Sequence, residues 1–164
     1  MGYHLAQLNI ARLLAPIESA QLAGFVARLG DINALADAAP GFVWRFQTED
    51  GDATSVRPYD DDRILVNFSV WETPEQLHAF VYRTAHAEVM RRRREWFAHL
   101  HEAYTVLWWV PIGHRPSVEE ARERLERLRA EGETPAAFTF KRLFPPPDSA
   151  PTLVLDALPD ECPL

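Results

Sequence analysis

The sequence predicts an α+β domain of the split β-α-β kind, on three observations: three runs that alternate with period two, two helix-opening capping boxes, and the order in which these occur. Residues 3–10 put Ala6, Leu8 and Ile10 on one side and Tyr3, Leu5, Gln7 and Asn9 on the other, as a half-buried strand does. Residues 19–38 are rich in Ala and Leu, are interrupted near Gly30 and Asp31, and stop at Pro40-Gly41; they read as two short helices or one kinked helix. Residues 42–47 alternate again, Phe42, Trp44 and Phe46 against Val43, Arg45 and Gln47, and the polar residues 48–62 read as a long hairpin connection. The clearest strand is 63–71, with Ile64, Val66, Phe68 and Val70 facing one way and Leu65, Asn67, Ser69 and Trp71 the other.

Thr73 precedes Pro74, with Gln76 three residues on from the threonine, a capping box with the favoured proline. The helix it opens is expected to continue, bent near Thr84, to Leu100. Residues 104–112 form a β-rich run containing Trp108 and Trp109. Ser117-Val118-Glu119-Glu120 is a second capping box, opening a helix over 118–131 that Gly132 stops. Residues 138–144 read as a short strand. The chain is thus expected to hold one domain over 1–147 and a Pro-rich C-terminal tail over 148–164, starting after Pro145-Pro146-Pro147.

The order β-α-β-β-α-β, with an added helix and short strand, is that of a ferredoxin-like domain, whose sheet carries helices on one face. The other face is expected to present Gln7, Asn9, Arg45, Asn67, Ser69 and Trp71 beside Leu5 and Leu65, too apolar to sit in water. A second copy is the expected cover, giving a homodimer in the form of a dimeric α+β barrel.

Composition narrows the function classes. At 164 residues and 47% hydrophobic content the chain can build a core without staples. Its single cysteine, Cys162, can form neither an intramolecular disulfide nor a cysteine cluster, which suits a cytoplasmic protein. No stretch reads as a secretory signal or membrane span. A net charge of -7 disfavours a nucleic-acid partner, which calls for positive surface against phosphates. A small apolar or aromatic ligand fits better.

The stretches PGFVWRFQTEDG, NFSVWETPEQLHAFVYRTAHAEVMRRRREWF, LWWVPIGHRPSVEEARERL and AFTFKRLFPPP resemble the bacterial DUF3291 family, over most of residues 1–147. The resemblance implies a dimeric α+β barrel, beside antibiotic-biosynthesis monooxygenases and several haem proteins, and assigns no activity.

If 84–100 is one helix, His86, Val89, Met90, Arg93, Trp96, Phe97 and Leu100 share a stripe, which places His86 and Arg93 among apolar residues. Arg91, Arg92 and Glu95 then point outward, with Glu88/Arg92 and Arg91/Glu95 spaced for surface pairing. Asn67 and Trp71 share a strand face about 13 Å apart and could line two ends of one cavity. Their spacing resembles the Asn and Trp that cofactor-free monooxygenases of the antibiotic-biosynthesis type use to hold a phenolic substrate. There the substrate anion itself reduces oxygen, so the protein supplies donors for an oxyanion and a water-poor pocket. Asn67, Trp71 and His86 are the catalytic candidates; Arg45, Tyr82, Arg93 and Trp109 are the substrate-binding ones. As purely structural residues, His86 would be a satisfied core histidine and Asn67 an inner-face amide. His114, between Gly113 and Pro116, reads as a loop-fixing side chain. No HExxH, phosphate-loop or nucleophile-elbow pattern is present, and the six histidines show no metal-ligand spacing.

Three functions follow: an oxygenase without metal or flavin acting on an aromatic or polyketide-like molecule, a haem-binding barrel with His86 or His114 as axial ligand, or a non-catalytic binding or assembly protein.

Overall fold

The computed structural model describes residues 2–47, 63–83 and 86–148, His86 by its backbone alone. Strands β1 (Tyr3–Arg12), β2 (Phe42–Arg45), β3 (Ile64–Trp71) and β4 (Thr105–Pro111) form one antiparallel sheet in the order β2-β3-β1-β4. β3 lies between β1 and β2, which is the split connection that the element order predicts. The helices are α1 (Ala23–Ala38), α2 (Pro74–Arg83), α3 (His86–Arg91) and α4 (Val118–Glu131).

Alternation along the strands sorts the core into two layers. Ala6, Leu8 and Ile10 join Val66, Phe68, Val70 and Trp108 on a wholly apolar face, roofed by Ala121, Leu125 and Leu128 of α4. Those three α4 residues recur at the spacing of one helical stripe. On the opposite face, Leu5, Trp71 and Leu107 meet Ala36 of α1 and Leu77 and Phe80 of α2. Further along the same face, Leu65 and Leu13 meet Phe25 of α1, Val89 of α3 and Trp96.

This corrects one expectation. The face carrying Gln7, Asn9, Asn67, Ser69 and Trp71 is not left bare for a second copy, because α1, α2 and α3 of the same chain lie over it. α4, expected as an appendage, covers the other face, whose unbroken apolar surface its stripe matches. The ferredoxin-like α+β class stands, and within the chain each sheet face has its own cover.

The N-cap hydroxyls and the helix-stopping glycine act as predicted. The Thr73 hydroxyl accepts the Gln76 N–H at 3.2 Å and donates to Gln76 Oε1 at 3.0 Å. Ser117 Oγ accepts the Glu120 N–H at 3.1 Å, and Gly132 ends α4 with φ 75°. Gly41, with φ 84°, turns the chain between α1 and β2 so closely over α2 that a Cβ would collide with the Gln76 side chain.

Elsewhere packing overrides the pattern. α1 passes through Gly30 unbroken, since a mid-helix glycine costs only about 1 kcal/mol and Phe25, Ile32 and Ala36 around it are packed. A bulge between Phe42 and Trp44 separates aromatics expected on one face. Phe42 meets Trp71 edge-on at 5.6 Å, whereas Trp44 and Phe46 pack on Phe68. The long helix to Leu100 is also corrected: α3 ends at Arg91, a single 3-10 turn follows over Arg93–Glu95, and Phe97 then bridges to Leu13. That turn lets Trp96 and Phe97, neighbours in sequence, both reach Phe25, at 5.7 and 5.0 Å between centroids. Arg92 pairs with Glu95 through two hydrogen bonds, in place of the expected four-residue pairs. These bonds hold the Glu95 carboxyl below its ordinary range and the Arg92 guanidinium above its own. The last predicted strand, 138–144, shrinks to a bridge between Phe138 and Leu107. The hairpin connection at 48–62 and the tail beyond 148, with Cys162, lie outside the described residues. Among the described residues no helix is long and apolar enough to cross a membrane.

Candidate functional site

The helices touch the two ends of their sheet face and leave its middle open, and a cavity of about 590 Å³ lies there. That volume falls in the range of roughly 300–1,000 Å³ typical of small-molecule sites. Strand register sets its floor in rows. Trp71 lies opposite Leu5, Ser69 opposite Gln7, Asn67 opposite Asn9, and Leu65 opposite Ala11; β4 extends the middle rows with Leu107 and Thr105. The floor is therefore polar at its centre and apolar at both ends.

The charged member of that strip is Arg45 of β2, which the register sets opposite Ser69 and whose guanidinium is tied to Asp37. Asn9 Nδ2 donates to Thr105 Oγ1 at 3.1 Å. Gln7 Nε2 and Trp71 Nε1 each donate to Ser69 Oγ at 2.9 Å. Gln7 and Ser69, 8% and 6% exposed, are the buried polar residues of the described chain. Asn67 differs: it is exposed to the cavity and its amide has no hydrogen-bond partner among the described residues.

Of the residues singled out from sequence, Asn67, Trp71, Arg45 and Tyr82 all line this cavity. Trp71 is buried, stacked on Phe80 at 5.2 Å, with its N–H already spent on Ser69. Arg45 is tied to Asp37 of α1 by bonds of 2.7 and 3.3 Å, and Tyr82 lies against His78, 4.4 Å between ring centroids. Two candidates fall elsewhere. Arg93 does not line the cavity; its guanidinium donates to the Met90 carbonyl at 3.2 Å, as a clasp on the end of α3. Trp109 is also outside, its indole donating to the Phe144 carbonyl at 2.8 Å and pinning the C-terminal segment. His86 opens α3, and its side chain lies outside the described residues. His114 sits before α4 with Nε2 2.7 Å from Glu120 Oε2, while the other oxygen of Glu120 accepts from Trp108. It fixes that loop, outside the cavity lining.

Sequence reasoning placed Gln7, Asn9 and Ser69 on this face but missed Thr105 and the pairing of Gln7 with Ser69 and of Asn9 with Thr105, which only the register across three strands sets. Among the described residues no three His, Cys, Asp or Glu side chains converge as a metal site.

A family model described as "Domain of unknown function (DUF3291)" matches residues 4–153. Among solved structures, a protein of unknown function from Nitrosomonas europaea is 15% identical, with a TM-score of 0.45 over 71% of this chain and 96% of that one. A protein called a putative antibiotic biosynthesis monooxygenase, also from Nitrosomonas europaea, is 16% identical, with a TM-score of 0.41 over 67% and 88%. A namesake from Chloroflexus aurantiacus is 17% identical, with a TM-score of 0.42 over 69% and 97%. No curated protein matches the chain.

Proposed function

The chain belongs to the DUF3291 family, and we propose that it binds a small aromatic or polyketide-like molecule in the cavity between sheet and helices and oxygenates it without metal, flavin or haem. The observation that carries this reading is Asn67, an amide with no partner among the described residues, at the centre of a floor flanked by apolar rows. Such an amide can hold a phenolic oxygen, while Leu65 and Phe25 at one end and Trp71 and Phe80 at the other shed water from the ring.

The chemistry asks little of the protein. A phenol entering as its anion supplies both electrons, so 1-naphthol and oxygen give 1,4-naphthoquinone and water with no outside reductant. The chain's part is to orient the ring and to stabilise developing negative charge on oxygen, which Asn67 is placed to do. The haem alternative gains nothing from His114, whose imidazole is engaged by Glu120 away from the cavity. A homodimer, on this arrangement, meets through a surface other than the face under α1–α3.

The test is oxygen uptake with 1-naphthol, with product identified by mass spectrometry, in the wild type and in Asn67→Ala. The reading expects uptake in the wild type and a fall on the order of a hundredfold or more in the variant. Binding without uptake would leave a non-catalytic binding protein; absence of binding would overturn the site.

A further inference from the structure

Ser69 sits at the cavity floor with both of its acceptor positions filled. A serine hydroxyl offers one proton and two lone pairs. Here the Gln7 amide and the Trp71 indole, each 2.9 Å away, donate to the two lone pairs. The hydroxyl can then act only as a donor, and no acceptor among the described residues receives its proton. Ser69 is 6% exposed, so this is a buried donor left over in a residue that faces the cavity. Buried polar groups are almost always matched, and an unmatched one asks for a partner from outside the chain. Reversing the Gln7 amide so that Ser69 donates to Oε1 does not remove the surplus; it hands the surplus donor to Gln7 Nε2. Two incoming hydrogen bonds also polarise the hydroxyl and strengthen the bond that it donates.

We propose that the Gln7–Ser69–Trp71 cluster is a specificity device that reads a carbonyl oxygen, so that the cavity selects aromatic ketones over the corresponding hydrocarbons. A neutral acceptor is the matching chemistry, since Gln7, Asn9, Ser69 and Thr105 carry no charge and Arg45, opposite Ser69 on β2, is already paired with Asp37. A ketone oxygen with two lone pairs can take the Ser69 proton while a donor from Asn67 fills its second position. The fused ring behind it lies along the apolar rows of Trp71 and Leu65. Ser69 is thus a binding residue distinct from Asn67: Asn67 is ambivalent, Ser69 is a donor alone. This inference rests on the reading of the cavity as a ligand site.

The experiment compares 1-tetralone with tetralin by calorimetric titration of the full chain. The wild type is expected to bind the ketone at least about tenfold more tightly than the hydrocarbon. Ser69→Ala should bring the two affinities within about threefold of each other by weakening the ketone alone. Ser69→Thr, which keeps the hydroxyl, should restore the preference. Ser69→Cys preserves the volume with a poor donor, so it gives the same reading as alanine if the alanine variant does not fold. A preference unchanged in Ser69→Ala or Ser69→Cys overturns this inference and leaves the cavity reading intact. Failure of the wild type to bind either compound overturns both.

Discussion

The indole N–H of Trp108, a side chain with no solvent exposure, donates to Oε1 of Glu120 at 3.1 Å across the contact between β4 and α4. Glu120 is the fourth residue of the second capping box, and the box pattern assigns its carboxylate to the Ser117 backbone. The carboxylate instead goes to the sheet and to His114, because a buried indole N–H without an acceptor costs more than an end-of-helix donor that water can reach. Glu120→Leu should therefore destabilise the fold by about 1–3 kcal/mol, whereas Glu120→Gln, which keeps an acceptor, should lose less than half of that. Urea unfolding followed by tryptophan fluorescence reads both; equal losses would show that the buried indole is not what Glu120 serves.

Asn67 should be separable from stability. Its amide is exposed and makes no hydrogen bond among the described residues, so Asn67→Ala should change unfolding free energy by no more than about 0.5 kcal/mol while activity falls steeply. A comparable loss in thermal stability would mark the residue as structural.

Trp109 gives the opposite pattern. Trp109→Phe keeps the ring's bulk and removes the bond to the Phe144 carbonyl, so it should cost about 0.5–1.5 kcal/mol in urea unfolding. Ligand affinity should stay within twofold of wild type, since the ring lies outside the cavity lining. A large drop in affinity would restore Trp109 to the site.

Strands β1 and β3 were legible because their alternation is strict, and α4 was legible to the residue because Ser117 and Gly132 punctuate it. What alternation cannot say is which helix covers which face. Ala6 and Gln7 label two sides of β1, yet nothing local distinguishes a side covered by α4 from one covered by α1, α2 and α3. The stripe over 84–100 misled for a related reason. Trp96 and Phe97 are both apolar and adjacent, a spacing that fits a 3-10 turn followed by a bridge as well as it fits a wide helical face. Half of the site was visible as single residues, Asn67 and Trp71 among them. The cluster at Ser69 was not, since it depends on the register that sets Gln7 against Ser69.

The assignment of faces can be checked in solution with Asn67→Asp. If the strip bearing Asn67 were the seam of a two-sheet barrel, the substitution would bring two like charges, one from each copy, into a desolvated contact. Such a seam would lose several kcal/mol and the oligomer would dissociate on dilution. In the structure the same side chain faces a cavity within one chain, exposed, in register with the neutral Asn9 and Thr105. A carboxylate there stays hydrated and meets no copy of itself. Light scattering over a hundredfold dilution series should therefore give Asn67→Asp the mass of the wild type at every concentration, while binding of 1-tetralone weakens. A mass that halves in the variant alone would put a second chain against this face and overturn the covering role of α1, α2 and α3.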